Sequence, residues 1–187
     1  MKLSILVCTV PSRVHTFLPR IIDLLMLQNT QDVEILYLGD NKTMTVGAKR
    51  NALLSISKGD YVVFVDDDDY ISDDYVEKIL EAIKEGSDCI TFGVMCSIND
   101  GDFKPVKYSL SYNKDFNTPT EYHRLPNHIM CVKRELVDWV RFSDKSYGED
   151  IDYAKRLKKY LLTETRIPDI LYYYYFNIKT TETDPGR

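Results

Sequence analysis

Four consecutive carboxylates, Asp66 to Asp69, follow directly on an apolar run that ends in Phe64 and Val65. Like charges placed this close repel one another, and a divalent cation relieves the repulsion because hard oxygen ligands suit Mg²⁺ or Mn²⁺. Acidic runs also occur in ordinary turns that face solvent. From these residues alone, a metal site and a solvated acidic turn are equally good interpretations.

A calcium loop of the EF-hand type is a third interpretation of the same segment. Asp66, Asp68 and Glu77 fall at loop positions one, three and twelve. However, Tyr70 stands where an Asp or Asn is required, and Ile71 replaces the glycine that the turn needs. The run before the loop is also typical of a strand and not of a helix, so the calcium loop is disfavoured.

The elements that position the acidic run alternate between strands and helices along the first half of the chain. Such alternation predicts a single α/β domain with a mostly parallel sheet and helices on both faces, in which ligands bind beyond the carboxyl ends of the strands. The acidic run follows one of these ends. Strands are expected at residues 3–10, 33–38, 61–65 and 89–95, with helices at 16–28 and 46–57 and another opened by Asp73 and Asp74.

The second half is less regular. Residues 97–126 are rich in Asn, Asp, Tyr and Pro and are compatible with a hairpin and a loop. The aromatic run YYYYF, at residues 172–176, is better explained by core packing than by sugar stacking. The domain is predicted to span residues 1–179, with a flexible polar tail at 180–187. Further strands are expected at 127–132 and 170–178, and helices at 135–140 and 149–160.

Composition narrows the function. Hydrophobic residues make up 44% and charged residues 28% of 187 residues, as in an ordinary globular protein. The formal net charge of -5 argues against wrapping nucleic acid through an overall basic surface. None of the four cysteines forms a C-x-x-C pair, which predicts reduced thiols and a cytoplasmic location. No run has the length of a signal peptide or a membrane span, so no stable membrane insertion is expected.

Three segments together resemble glycosyltransferase family 2, whose members have the GT-A fold. Their order and spacing carry the resemblance more than any one of them. Residues 47–52 (GAKRNA) match the family's G-x-ARN helix, and residues 58–69 (KGDYVVFVDDDD) match its turn and strand ending in D-x-D-D. Residues 4–13 (SILVCTVPSR) are similar to its first strand, S-I-I-I-P-T-Y-N-R.

The resemblance implies roles on the donor side. Asp68 would bind Mn²⁺ or Mg²⁺ directly, Asp66 would support the metal or the ribose, and Asp67 would point away from the cation. Asp69 would act indirectly, and Lys49 is expected on a solvated helix face. Asp40 would accept a hydrogen bond from a base, typically uracil, although Asp40 is also a good turn residue. The residues implied to bind the donor are Thr9, Val10, Arg13, Asp40, Arg50, Asn51, Asp66 and Asp67.

The same resemblance implies roles near Gly148-Glu149-Asp150. Asp150 would be the general base and Glu149 would contact the acceptor or orient the site, although acidic residues favour a helix's first turn without any function. His128 would lie on the acceptor side, with a structural histidine as an equal alternative. Asn177 is a weak candidate for a third metal ligand.

The predicted function is a metal-dependent, inverting transfer of a sugar from a nucleotide-sugar donor, with UDP favoured by Asp40. The acceptor would be a glycan or another hydroxyl-bearing molecule, with a hydroxymethylated DNA base of phage type as a minority alternative. A nucleotidyltransferase is disfavoured because no glycine-rich loop follows the first strand. A noncatalytic module that binds a nucleotide sugar or a divalent cation remains the main alternative, and it would gain support if Asp150 lay far from the acidic run.

Overall fold

The computed structural model describes residues 1–28 and 30–178. The helices within them are α1 (Phe17–Leu27), α2 (Val46–Ile56), α3 (Tyr75–Ile83), α4 (Arg134–Val137) and α5 (Glu149–Leu157). The strands are β1 (Leu3–Thr9), β2 (Val33–Gly39), β3 (Tyr61–Phe64), β4 (Tyr70–Ile71), β5 (Cys89–Ile98), β6 (Lys104–Tyr108), β7 (Phe116–Asn117), β8 (Tyr122–Arg124), β9 (Cys131–Lys133) and β10 (Glu164–Phe176).

These strands form one mixed sheet in the order β2-β1-β3-β9-β5-β6-β8-β7, with β10 paired to β5 and β4. β1 lies parallel between β2 and β3, while the short β9 runs antiparallel to both β3 and β5. The longest ladders, β1 with β2 and β5 with β10, are parallel. The predicted α/β architecture with a mostly parallel central sheet is therefore confirmed.

The core lies around the central strands. Every residue of β3 is buried, as is every residue of β1 except Cys8, which is expected of strands covered on both faces. Helix α2 packs against β1 and β2, and α3 packs against β5 and β10. Truncating a fully buried side chain such as Ile5 or Leu6 to alanine would cost about 2–5 kcal/mol.

The start of α2 is held against the loop that precedes α5. Thr45 caps the helix by accepting a hydrogen bond from the Ala48 amide. A Cβ on Gly47 would lie 2.0 Å from the carbonyl oxygen of Ser143, so only glycine allows this approach. The Gly47 amide also donates to the Lys145 carbonyl at 3.1 Å. This contact brings the G-x-ARN helix and the Gly148-Glu149-Asp150 segment together.

Several expected boundaries are wrong for identifiable reasons. A strand does not begin at Asn127, because the Asn127 side chain and carbonyl accept from the Ile129 and Met130 amides and form a turn. β10 begins at Glu164 and not at residue 170, with Pro168 accommodated in an irregular stretch of the ladder. The hairpin expected after residue 97 is present, since β5 and β6 pair antiparallel.

All four cysteines are free thiols. The tail expected at residues 180–187 lies outside the described residues. In the part of the chain that the structure describes, no helix is long and apolar enough to cross a bilayer.

Candidate active site

A cavity opens at the carboxyl ends of β1 and β3, where the acidic run leaves the sheet. We call it the acidic cavity. Its wall combines three aspartates with three basic side chains and with aromatic residues of β10. The lining residues are Cys8, Thr9, Val10, Arg13, Val46, Lys49, Arg50, Asp66, Asp67, Asp68, Tyr174, Tyr175 and Phe176.

Asp66 is held by two partners from different parts of the chain. Arg50 Nη2 lies 3.1 Å from its Oδ1, and His128 Nε2 lies 3.2 Å from its Oδ2. Burial opposes ionisation of this carboxyl, but the contacts with His128 and Arg50 outweigh burial and hold its pKa below the usual range. Asp66 is therefore a carboxylate at neutral pH.

Arg13 spans the next two aspartates. Its Nη1 donates to Asp67 Oδ1 at 2.8 Å, and its Nη2 lies 2.7 Å from Asp68 Oδ2. Thr9 Oγ1 also donates to Asp67, at 2.6 Å. Burial, reinforced by the charges of Asp66 and Asp67, raises the pKa of Asp68 to about 6 in spite of Arg13. The single positive charge of Arg13 thus balances only part of the negative charge of these carboxylates, which favours binding of a further cation.

Asp69 anchors the acidic run to the sheet. Its two oxygens accept from the Tyr172 hydroxyl at 2.7 Å and from the Tyr175 amide at 2.8 Å, and the residue is fully buried. The Tyr172 hydroxyl in turn accepts from the Asp66 amide. Because β10 fixes both ends of the run, Asp66, Asp67 and Asp68 are presented along the cavity wall.

Arg50 connects this run to the start of α5. Its guanidinium lies over the rings of Phe64 and Phe142, at 5.5 and 5.4 Å from their centroids. Its Nη1 lies 3.5 Å from Glu149 Oε1, while its Nη2 contacts Asp66. Both carboxylates and Arg50 are largely buried, so this is a preorganised ion-pair network and not a solvated helix face.

A second cavity, the Asp150 cavity, adjoins the first, and the two share Tyr174 and Phe176. The half-buried side chain of Asp150 forms no hydrogen bond or ion pair with any other residue that the structure describes, so its carboxyl group is available to a ligand. His128 lines the same cavity and reaches Asp66. The lining residues are Cys96, Ile98, Val106, Tyr108, Asp115, Phe116, Asn117, Tyr122, Arg124, Leu125, Asn127, His128, Ile129, Asp150, Ile151, Ala154, Tyr174 and Phe176.

Two of the implied donor-binding residues do not line the acidic cavity. Asn51 pairs in both directions with the backbone of Phe142, at 2.8 and 2.9 Å, and so fixes the residue whose ring packs against Arg50. Asp40 accepts from the amides of Thr43 and Met44, as a turn residue does. The other residues implied to bind the donor or the metal all line the acidic cavity. They are Thr9, Val10, Arg13, Arg50, Asp66, Asp67 and Asp68.

Lys49 corrects the sequence-based expectation. It was expected to face solvent, but its side chain is 3% exposed, and its Nζ lies 3.0 Å from both the Thr9 carbonyl and Asp40 Oδ1. Helix α2 is covered on this side by the ends of β1 and β2, so the ammonium has replaced water with protein oxygens. In the sequence Lys49 stands between Ala48 and Arg50, and no apolar periodicity there indicated its burial.

The aromatic run of β10 is divided between core and cavities. Tyr172 is fully buried, as core packing predicts, but Tyr174 and Phe176 line both cavities. Tyr174 also packs against the core, so core packing and a place in the cavity wall are both true of this residue. Tyr174 and Phe176 share one face of the strand at the i and i+2 positions. The Asn177 amide donates to Asp100 at 3.0 Å.

The structure does not have a calcium loop of the EF-hand type at residues 66–77. The segment after the acidic run forms β4, which pairs with β10, and Glu77 lies on α3. Glu77 lines a groove beside the end of α1, whereas Asp66 and Asp68 line the acidic cavity.

The acidic cavity offers a divalent cation only part of its coordination shell. Among residues 1–28 and 30–178, no group of three or more His, Cys, Asp or Glu side chains is arranged to hold an ion. Asp66 and Asp68 offer two carboxylates, and Mg²⁺ commonly takes one or two carboxylates with the rest of its shell from water and substrate phosphates. The residues therefore fit an ion shared with a phosphate ligand, and they do not form a cage made of protein alone.

The acidic loop follows β3, at the edge of the sheet where β1 lies between β2 and β3. The model of the glycosyl transferase family 2 matches residues 19–138, which is more than half of the chain. The protein therefore belongs to glycosyl transferase family 2. Glu149 and Asp150 lie outside the matched range.

Individual relatives agree with this assignment. An uncharacterized glycosyltransferase of Haemophilus influenzae is 28% identical over 120 residues, covering 62% of this chain and 47% of the relative. Glycosyltransferase GlyA of Streptococcus pneumoniae is 30% identical over 148 residues, covering 71% of this chain and 21% of the relative. This chain thus spans half or less of the length of these relatives.

Solved structures of S. aureus TarS share the fold. TarS residues 1–349 superpose with a TM-score of 0.73 at 18% identity, covering 94% of this chain and 60% of that one. The complex of the same fragment with UDP-GlcNAc gives a TM-score of 0.72 at 18% identity, covering 94% and 58%.

Proposed function

We propose that this protein transfers a sugar from a nucleotide-sugar donor to an acceptor hydroxyl, with inversion at the anomeric carbon. The observation that carries the proposal is the junction of the two cavities. One holds paired aspartates and basic side chains suited to a nucleoside diphosphate, and the other holds an unengaged carboxylate, Asp150. The membership in family 2 and the UDP-GlcNAc complex of TarS support a nucleotide-sugar donor, with UDP favoured.

The donor would occupy the acidic cavity. Asp66 and Asp68 would hold Mn²⁺ or Mg²⁺ together with the donor's diphosphate, where the cation would stabilise negative charge on the leaving group. Arg13 and Arg50, already ion-paired to these aspartates, fix the carboxylates in place before the donor arrives. Thr9 and Val10 complete the wall at the end of β1.

The acceptor would enter the Asp150 cavity. An alcohol is a poor nucleophile, and a carboxylate that takes its proton during attack lowers the barrier, typically by ~10²–10⁴-fold. Asp150 has no protein partner and could act as this base, whereas Glu149, its neighbour on α5, is paired with Arg50. The acceptor oxygen, reaching the anomeric carbon from the face opposite the diphosphate, forms the new glycosidic bond as the bond to phosphate breaks. Configuration inverts, and no covalent enzyme intermediate is needed.

His128 would orient this junction. Its imidazole lines the Asp150 cavity while its Nε2 contacts Asp66 on the donor side. Tyr174 and Phe176, shared by both cavities, would pack beside the transferred sugar. The acceptor class, a glycan or another hydroxyl-bearing molecule or a modified DNA base, and the cytoplasmic location stay predictions.

The noncatalytic module is the weaker candidate. It would gain support if Asp150 were remote from the aspartates, but Asp150 lies in a cavity that adjoins theirs and shares two lining residues with it. A binding module also needs no carboxylate left without a protein partner.

The experiment is a thermal-unfolding panel of UDP-, GDP- and TDP-sugars, each with and without Mn²⁺. A ligand at one hundred times its Kd stabilises the native state by ~2.7 kcal/mol, which is readily measured. A shift that needs both Mn²⁺ and one nucleotide sugar is expected. That donor is then incubated with candidate acceptors, and the anomeric configuration of the product is read by NMR. Absence of any shift, with every pair, would contradict the proposal.

A further inference from the structure

The wall of the acidic cavity contains the buried ammonium group of Lys49. The Lys49 side chain is 3% exposed and belongs to the cavity lining. An ammonium has three donors. The Thr9 carbonyl accepts one at 3.0 Å, and Asp40 Oδ1 lies 3.0 Å away as a second partner. Among the residues that the structure describes, no other acceptor contacts it, which leaves one donor for a ligand.

Asp40, by contrast, is turned away from the cavity. Its Oδ2 accepts from the Thr43 amide at 2.6 Å and from the Met44 amide at 2.7 Å. Its Oδ1 is buried and lies 3.0 Å from the ammonium of Lys49, its ion-pair partner. Although burial opposes ionisation, the contacts from Lys49, Met44 and Thr43 hold the pKa of Asp40 below its usual range. Asp40 therefore fixes Lys49 and the turn, and Lys49 presents the polar atom to the cavity.

The position of Lys49 also indicates which part of a donor it faces. The Thr9 hydroxyl bonds Asp67, whereas the Thr9 carbonyl bonds Lys49. The ammonium thus lies on the β2 side of Thr9, away from the carboxylates that would mark the diphosphate. A donor with its diphosphate at these carboxylates and its sugar towards the Asp150 cavity, whose wall comes from the β5 to β8 side of the sheet, has its nucleoside on the opposite side, beyond the ends of β1 and β2.

We propose that Lys49 is a donor-binding residue that selects the base, by donating a hydrogen bond to a carbonyl oxygen of the nucleobase. This inference rests on the proposed function. Uracil, thymine and guanine carry such an oxygen and adenine does not. Lys49 would therefore raise the affinity for nucleotides with one of the first three bases, and it would not change the affinity for the phosphates. In the family pattern G-x-ARN this position is alanine, so the selection would be a feature of this chain.

The test is calorimetric titration of the full chain with UDP, ADP and inorganic pyrophosphate in the presence of Mn²⁺. Wild type should bind UDP more tightly than ADP. Lys49→Met should lose about 10-fold or more in UDP affinity, as expected for loss of a charged hydrogen bond. Its affinities for ADP and pyrophosphate should stay within about 2-fold, which also shows that the variant is folded. Lys58→Met removes the same charge from an exposed position and serves as the matched control.

Asp40→Asn separates the two residues of the ion pair, since an amide oxygen still accepts from the turn. The inference predicts a smaller loss of UDP affinity than in Lys49→Met, because Asp40 fixes the ammonium but does not itself touch the base. An equal loss of UDP and pyrophosphate affinity in Lys49→Met, or unchanged UDP affinity, would overturn the role of Lys49. If wild type binds pyrophosphate, but binds neither UDP nor ADP more tightly than pyrophosphate, the role of Lys49 is wrong while the proposed function stands. If wild type binds none of the three, the proposed function fails with it.

Discussion

The two cavities are built on different physical plans. In the acidic cavity almost every charged side chain has a partner: Asp66 with Arg50, Asp67 and Asp68 with Arg13, and Lys49 with Asp40. In the Asp150 cavity one part of the wall comes from the short strands β6, β7 and β8 and another from β5, β10 and α5, and the Asp150 side chain has no partner among the described residues. A preorganised site binds charge at little reorganisation cost, whereas an unengaged carboxylate is free to take a proton.

The largest expected effect belongs to the unengaged carboxylate. Asp150→Asn should lower the rate of transfer by ~10²–10⁴-fold, because the acceptor loses its general base. Affinity for the nucleotide sugar with Mn²⁺ should not change, since Asp150 lies in the other cavity. Single-turnover kinetics and titration of the donor measure the two quantities. Asp152→Asn, on the same helix but paired with Arg156, is the matched control. Transfer at the wild-type rate in Asp150→Asn would show that another group is the base.

The acidic cavity should respond through stability instead. Arg50→Met leaves Asp66 and Glu149 without their shared cation, and breaking a buried ion pair in this way costs ~3–5 kcal/mol. Urea unfolding at pH 7.5 gives the free energy of unfolding. Arg156→Met, which removes a half-exposed pair, should cost less than about 1 kcal/mol. If both variants lost the same small amount, the network around Arg50 would not be preorganised.

Asp68→Asn should uncouple stability from ligand binding. The pKa of folded Asp68 is raised to about 6 from 3.8, so its ionised form is disfavoured in the fold, and wild type loses stability as pH rises through this window. In EDTA the variant should therefore be about 1–3 kcal/mol more stable above pH 6 and equal to wild type below pH 4. It should also lose the shift that needs Mn²⁺ and donor. A variant destabilised at pH 7.5 would mean that the Arg13 pair outweighs the crowding.

The smallest effect is expected in the wall of the Asp150 cavity. Arg124 Nη1 donates to the Phe116 carbonyl at 3.1 Å and to Asn117 Oδ1 at 2.7 Å, holding β7 to β8 at a partly exposed site. Arg124→Gln should cost about 1 kcal/mol or less in unfolding free energy. It should leave the Kd for the donor unchanged while raising the acceptor's KM. A change in donor affinity would show that the two cavities are coupled more tightly than their separate walls indicate.

The acidic cavity was largely predictable from sequence because local patterns encode it. The apolar strand before Asp66, the G-x-ARN helix and the order of elements placed Thr9, Arg13, Arg50 and the aspartates at one sheet edge. What local pattern could not supply was pairing across distance. Lys49 and Asp40 are neighbours only because β1, β2 and α2 converge, so neither residue's burial has a periodic signature.

The Asp150 cavity was harder to predict, since its strands are only two to five residues long and its turns depend on side chains. Asn127 reads as the start of a strand until its side chain is seen to close a turn on Ile129. Tyr174 and Phe176 lie in a run that is compatible with core and cavity alike, and only the ladder to β5 decides which face they present.

The contacts of Asp69 with Tyr172 and Tyr175 span 103 and 106 residues. Such contacts form late, since closing a long loop must precede any gain from the pairing. During synthesis all four aspartates leave the ribosome well before β10 exists, and until then the acidic run has no strand to hold its ends. The proposed cation site should therefore form during refolding together with docking of the C-terminal strand, and not with collapse of the N-terminal half that carries the motif.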